Sequence, residues 1–206
     1  MTAYLIFGMT YAFAAAVQPG PFLTYLVSQT LTNGWRRTVP AAFAPLLSDI
    51  PIIALVLLVL SHMPTWLVQV LQFAGGIFLL YLALGAYKTW RNYEKEKPIG
   101  KKTIQQTVLK AAVVNLLNPA PYLGWSLVMG PLLLKGWRQA LVSGIALLAG
   151  FYSILIFVTL GIMLRFSAAR KTGPRISRAL VGLSAMALTL FGLYEICLGI
   201  KAVWGI

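Results

Sequence analysis

Chemistry in this chain starts with a carboxyl group in an apolar setting. Only four acidic side chains stand against 17 Lys and Arg in 206 residues, and two of them, Asp49 and Glu195, fall inside apolar stretches. Asp49 lies 11 residues from Thr38 and 11 from Leu60, near the middle of its stretch. An ionised carboxylate at that depth of a bilayer costs about 3 kcal/mol or more and marks function by default. Two roles suit it, a proton carrier or a counter-charge to a substrate ammonium. The competing role is that of a neutral, hydrogen-bonded acid kept for packing. Ser48 precedes it and Pro45 and Pro51 flank it, which predicts an irregular helix around the acid. Glu195 is shallower, six residues before Lys201, and reads either as a second proton site or as a snorkelling or capping carboxylate.

The second group of residues breaks helices. Gln18-Pro19-Gly20-Pro21 sits inside an apolar run from Met1 to Asn33, and Asn118-Pro119-Ala120-Pro121 repeats the figure. An unbroken helix over the first run would be about 50 Å long at ~1.5 Å per residue, longer than a hydrocarbon core of about 30 Å. Two prolines remove backbone donors and orphan carbonyls one turn back, so each break must face protein or a water-filled cavity. The half-helices ending near Val17 and Leu117 would present carbonyls, and those starting after Pro21 and Pro121 would present N–H groups and a positive dipole end. Such a pair of ends can hold a zwitterion, its carboxylate toward the N–H groups and its ammonium toward carbonyls or a nearby acid. The candidate substrate-binding residues are therefore Gln18, Pro19, Gly20, Pro21, Asn115, Asn118, Pro119 and Pro121, with Asp49 and Glu195 for proton or cation coupling. The three amides have an alternative use in capping loosened backbone.

These residues need spans to position them. The chain is 59% hydrophobic and only 10% charged, with a mean hydropathy of +0.81, the composition of a polytopic membrane protein. Six apolar spans run over roughly 3–33, 38–60, 66–87, 107–134, 139–164 and 179–200. The first, third and fifth connections carry fourteen Lys and Arg, from Arg36 to Arg178, whereas the rest of the chain carries three, Lys135, Arg138 and Lys201. The positive-inside rule then places both termini outside the cytoplasm. A single transmembrane domain over 1–206 divides into a first repeat, about 1–90, a cytoplasmic linker, about 91–104, and a second repeat, about 105–206. Pro19-x-Pro21 followed by Gly34-Trp35-Arg36 corresponds to Pro119-x-Pro121 followed by Gly136-Trp137-Arg138. Three spans per half make the equivalent spans cross in opposite directions. The expected fold is an all-α membrane protein whose six transmembrane helices form a 3+3 inverted repeat with helices one and four broken.

Other readings fall away on composition. A net charge of +13 could suggest nucleic acid, but the cations lie between apolar spans and serve topology instead. Lone Cys197 gives no disulfide framework, and lone His62, in an outer loop, no metal site. Ala14-Ala15-Ala16 resembles a cleavage site, but no basic n-region precedes it, so the segment is expected to be retained. An enzyme would need a nucleophile with a base, which Ser48-Asp49 without His does not supply. No cofactor is called for. Tyr25, Tyr122 and Trp125 either line a pocket or pack, and Gly8, Ala12 and Ala16 form a small-residue stripe for close helix approach.

At Pro19-Gly20-Pro21, Gly34-Trp35-Arg36-Arg37, Ser48-Asp49 and Asn118-Pro119, in this order, the whole chain resembles the lysine exporter and homoserine/threonine exporter family of bacterial and archaeal inner-membrane proteins. The resemblance implies efflux of amino acids or related small solutes, usually coupled to the proton gradient, by alternating access. It points to Pro19, Gly20, Pro21, Asp49, Asn118 and Pro119 as matching positions. Many members follow the Asn-Pro with a lysine where this chain has Ala120-Pro121, which leaves the substrate class open. The reading is a secondary-active exporter of a small zwitterionic or cationic solute, an amino acid first among them, by proton antiport. Its partners are that solute, the lipid bilayer and protons as coupling ion, without nucleic acid; a homo-oligomer is left open. The alternative is a cation or metal-ion exporter using Asp49, Glu195 and carbonyl oxygens.

Overall fold

The computed structural model describes residues 1–59, 65–92, 103–171 and 174–204, which are helical apart from short connections. Its order is α1 (Thr2–Val17), α2 (Pro21–Asn33), a single turn α3 (Trp35–Thr38) leading into a 3₁₀ turn (Val39–Phe43), α4 (Ala44–Val59), α5 (Thr65–Arg91), α6 (Ile104–Leu117), α7 (Pro119–Gly124), a π-helical turn (Trp125–Met129), α8 (Gly130–Gln139), α9 (Leu141–Lys171) and α10 (Pro174–Trp204). His62 and the linker residues 93–102 lie outside the described residues.

Among the described residues three stretches are long and apolar enough to cross a membrane, Trp35–Leu58, Leu141–Ala168 and Arg178–Ile200, while Thr2–Val17 and Ile104–Leu117 are shorter apolar helices. Large apolar side chains cover the outside, Leu58 at 80% and Phe157 at 74% exposure, a surface suited to lipid rather than water.

Small residues set the packing. Gly8, Ala12 and Ala16 are the buried residues of α1, and a Cβ on Gly8 would run into the Leu147 carbonyl and the Phe151 nitrogen of α9. The stripe therefore lets two backbones touch, which is how helices associate where burial from water gives no drive. Gly76 of α5 and Gly192 of α10 do the same, since a Cβ on Gly76 would lie 2.7 Å from the Gly192 carbonyl.

The first helix breaks where the prolines predict. α1 ends at Val17, and α2 begins with Pro21 at its first turn, where the missing N–H is no loss. α2 is buried continuously from Tyr25 to Leu31 and packs on α5, α6, α9 and α10. The half-helix beyond the break is thus inside protein, whereas Gln18 and Pro19 at the break itself are exposed.

Two expectations about irregular helix need correction. The second half-helix starts at Pro119 rather than after Pro121, because Pro at the first helical position loses nothing and Asn118 ahead of it can cap. Nor is the helix irregular at Asp49. α4 runs through Pro51, and the distortion lies 6 to 10 residues before Asp49, in the 3₁₀ turn Val39–Phe43 that contains Pro40. Pro45 falls in the opening turn of α4, where its ring is harmless.

Candidate functional site

The two breaks meet around one cavity of about 370 Å³. Gln18, Pro19, Gly20 and Pro21 line it from the first break and Asn115, Asn118 and Pro121 from the second, with Asp49 and Glu195 in the same wall. Pro119 alone of the candidates is not in the lining; it is buried at the start of α7. Tyr11, Trp125, Phe151, Phe191 and Tyr194 complete the wall with aromatic surface.

Asp49 is 3% exposed and is held from two other elements. Asn115 on α6 donates through Nδ2 to Asp49 Oδ1 at 2.8 Å and to Ser48 Oγ at 2.8 Å, and Tyr152 on α9 donates its hydroxyl to Asp49 Oδ2 at 3.1 Å. Both carboxyl oxygens are thus satisfied inside the protein, which a buried acid demands. Ser48 donates to the Ala44 carbonyl at 3.1 Å, one turn back on α4, and so presents its lone pairs to Asn115. An edge-on aromatic series fixes these donors, with Trp125 against Phe151 at 5.6 Å and Phe151 against Tyr152 at 5.0 Å between centroids.

The half-helix starts differ chemically. At α7 the Asn118 side chain accepts from the Ala120 N–H at 3.1 Å, so that end is capped from within. At α2 the position ahead of Pro21 is Gly20, which has no side chain to cap with, and the first helical bond runs from the Thr24 N–H to the Gly20 carbonyl at 3.0 Å. The Phe22 and Leu23 N–H groups consequently have no helical acceptor, and both residues line the cavity. Gly20 is extended, with φ −161° and ψ 176°, a conformation open to any residue. A Cβ built on it meets nothing within 4 Å. What glycine provides here is empty space in front of a helix N-terminus, not an unusual turn.

The three amides separate into different uses. Asn115 holds the acid, Asn118 caps α7 as the capping alternative foresaw, and Gln18 ends α1, its N–H bonded to the Ala14 carbonyl at 3.2 Å, while the residue borders the cavity. Trp125 lines the cavity, whereas Tyr25 and Tyr122 bond elsewhere, to the Thr107 and Leu116 carbonyls. The Tyr122 bond, 2.9 Å long, serves a carbonyl in the last turn of α6 orphaned by the break. Glu195 borders the cavity from α10, and its Oε2 atom is buried without a hydrogen-bond partner among the described residues. Cys197 is exposed. No group of three His, Cys, Asp or Glu side chains that could hold a metal ion occurs among the described residues.

Sequence reasoning missed Tyr152. Its signal was a hydroxyl near the middle of the fifth span, which deserved the question asked of Asp49: what partner does it have at that depth?

No curated protein and no solved structure matches the chain significantly. The family model of the LysE type translocators matches residues 13–198, a stretch that includes both helix breaks, Asp49, Asn115, Tyr152 and Glu195. With that match over most of its length, and with helices fit to cross a membrane, the chain is a multi-pass membrane protein that belongs to the LysE type translocator family.

Proposed function

We propose that this protein is a secondary-active exporter of a small zwitterionic or cationic solute, an amino acid first among them, exchanged for protons across the inner membrane of a prokaryote. The observation that carries the reading is a single cavity in which an uncapped helix start and a buried carboxyl group stand together. The Phe22 and Leu23 N–H groups suit a substrate carboxylate, favoured further by the α2 dipole. Asp49 suits the ammonium group or, with the cavity empty, a proton; Glu195, with its unpartnered oxygen, is the second acid for coupling. Competition between proton and cargo for Asp49 is the antiport step. Among the described residues no basic side chain lines the cavity, which disfavours an anionic cargo.

Within the same reading the six spans form a 3+3 inverted repeat with both termini outside. Two packing relations support it. α1 lies on α9 as α6 lies on α4, which are equivalent pairs when the halves are exchanged, and α5 lies on its own counterpart α10. The α5 and α10 chains run antiparallel, with Gly199 near Gln69 and Gly182 near Trp90. Alternating access would then rock one half against the other about the broken helices.

Counterflow in proteoliposomes under an imposed pH gradient tests the proposal, using an amino-acid panel first narrowed by thermal shift. The wild type is expected to accumulate a cargo against its gradient. Asp49→Asn can still accept from Asn115 through its amide oxygen and can donate its amide N–H to the Tyr152 hydroxyl, reversing that bond, so it should remain folded and lose gradient-driven transport. Proton-driven transport by Asp49→Asn at the wild-type rate removes Asp49 from the mechanism.

A further inference from the structure

We propose that the groove between α5 and α10 is a binding site for an anionic phospholipid, separate from the transport cavity. The groove has a volume of about 710 Å³ and shares no lining residue with that cavity. Its walls follow helical spacing. On α5 the lining runs Leu80, Leu84, Tyr87, and the next position on that stripe is Arg91; on α10 it runs Met186, Gly182, Ala179, and the next is Arg175. Both apolar walls therefore end in an exposed arginine at the same end of the groove. Between them the Arg178 guanidinium lies 5.6 Å over the Trp90 ring, and Trp90 packs on Tyr87 at 5.6 Å between centroids.

This order matches the anatomy of one lipid. Exposed Leu84, Leu183 and Met186 offer the acyl chains an apolar bed. Gly182 keeps its floor deep, because a Cβ there would meet the Trp90 ring at 2.8 Å. Trp and Tyr mark the headgroup level, and arginine forks match a phosphate. Basic pockets between transmembrane helices recognise anionic headgroups in this way. A second copy of the chain fits less well, since a twofold contact across this face would set Arg91, Arg175 and Arg178 opposite themselves.

Native mass spectrometry of the full chain, purified and re-equilibrated with equimolar phosphatidylglycerol and phosphatidylcholine, tests the site. Phosphatidylglycerol should be retained in preference, and the preference should fall about fivefold for each basic side chain neutralised in Arg91→Gln with Arg175→Gln. The matching pair of lysine substitutions should keep most of it, and Lys135→Gln, on α8, should change nothing. Ala179→Trp, at an exposed wall position, should expel the lipid with every charge in place. Equal retention of the two lipids, or a preference indifferent to both the arginine and the Ala179 substitutions, overturns the proposal. So does efficient disulfide dimerisation of Leu183→Cys in a Cys197→Ser background, which would make the groove a contact between copies.

Discussion

Gly20 is the position at which folding and transport are expected to part. In most proteins a Pro-Gly-Pro would be read as a turn only glycine can make, and replacing the glycine would then destabilise the fold. Here φ is −161° and ψ 176°, and a Cβ meets nothing within 4 Å, so that cost is absent. Gly20→Ala loses a little as a helix cap, about 0.5–1 kcal/mol, and recovers about 0.4–1 kcal/mol through a less flexible unfolded chain. The two offset, and the melting temperature should hardly move. Gly20→Ser adds a hydroxyl that can accept from the Phe22 or Leu23 N–H, which gives a net gain of about 1 kcal/mol, or ~2–4 °C for a chain of this length. Transport should go the other way. A serine occupying the donors meant for a substrate carboxylate removes a charge-assisted hydrogen bond of about 1.5–3 kcal/mol, a loss of roughly 10- to 100-fold in apparent affinity. The decisive comparison is between a transported amino acid and the amine that lacks its carboxyl group, measured as competition in proteoliposomes. Wild type should prefer the amino acid, and Gly20→Ser should lose that preference. A serine variant that keeps it at full strength refutes the assignment of the carboxylate to the start of α2. A fall of several degrees for Gly20→Ala would refute the open space itself.

Asn115→Leu should destabilise the fold by about 1–3 kcal/mol, because Asp49 Oδ1 loses its donor while buried. Combining it with Asp49→Leu should recover part of that loss, and strictly additive melting temperatures would count against the coupling. Glu195→Gln should leave the melting temperature almost unchanged, since Oε2 has no partner to lose among the described residues. It should, however, weaken the response of transport to an imposed pH gradient; an unchanged response restricts coupling to Asp49. Gly8→Val drives a side chain into the α9 backbone at Leu147 and Phe151 and should cost about 1–3 kcal/mol by overpacking, seen as a lower melting temperature in detergent, whereas a variant as stable as wild type would mean that α1 and α9 can separate without loss.

The sequence carried the breaks and the acid because both violate the rules of lipid. Proline within an apolar run and a carboxyl group at mid-depth each need an explanation that local propensity cannot give, and both end in one cavity. The partners of Asp49 were less legible. Asn115 was noticed as an amide beside a break, but its pairing with Ser48 and Asp49 joins residues 66 and 67 positions apart in the chain, and only the docking of α6 on α4 determines it. Tyr152 lies 103 positions away from Asp49 and looks like any aromatic in an apolar helix. α7 starts at Pro119 and not after Pro121, since two prolines spaced by one allow either to open a helix. Asn118 decides between them through a side-chain bond that the sequence permits but does not require.

That bond also explains why two similar breaks need not do the same work. If both half-helix starts were bare, the cavity would offer two equivalent places for one carboxylate, and the cargo would have no unique orientation. Asn118 satisfies the start of α7 from within, while Gly20 leaves the start of α2 open. The same division applies on the other side of the break. Tyr122 answers one of the carbonyls orphaned at the end of α6, and Asn115 is committed to Asp49. What the second break contributes is therefore support for the acid, and what the first contributes is an unoccupied positive end. A zwitterion placed between them has one orientation in which both of its charges are met. Restoring symmetry with Asn118→Gly should accordingly cost more stability than Gly20→Ala does, by about 1 kcal/mol, a few tenths for the lost cap and the rest for a more flexible unfolded chain, and should broaden the range of solutes accepted in competition assays. If it leaves that range unchanged, the cap is structural only and orientation is set elsewhere in the cavity.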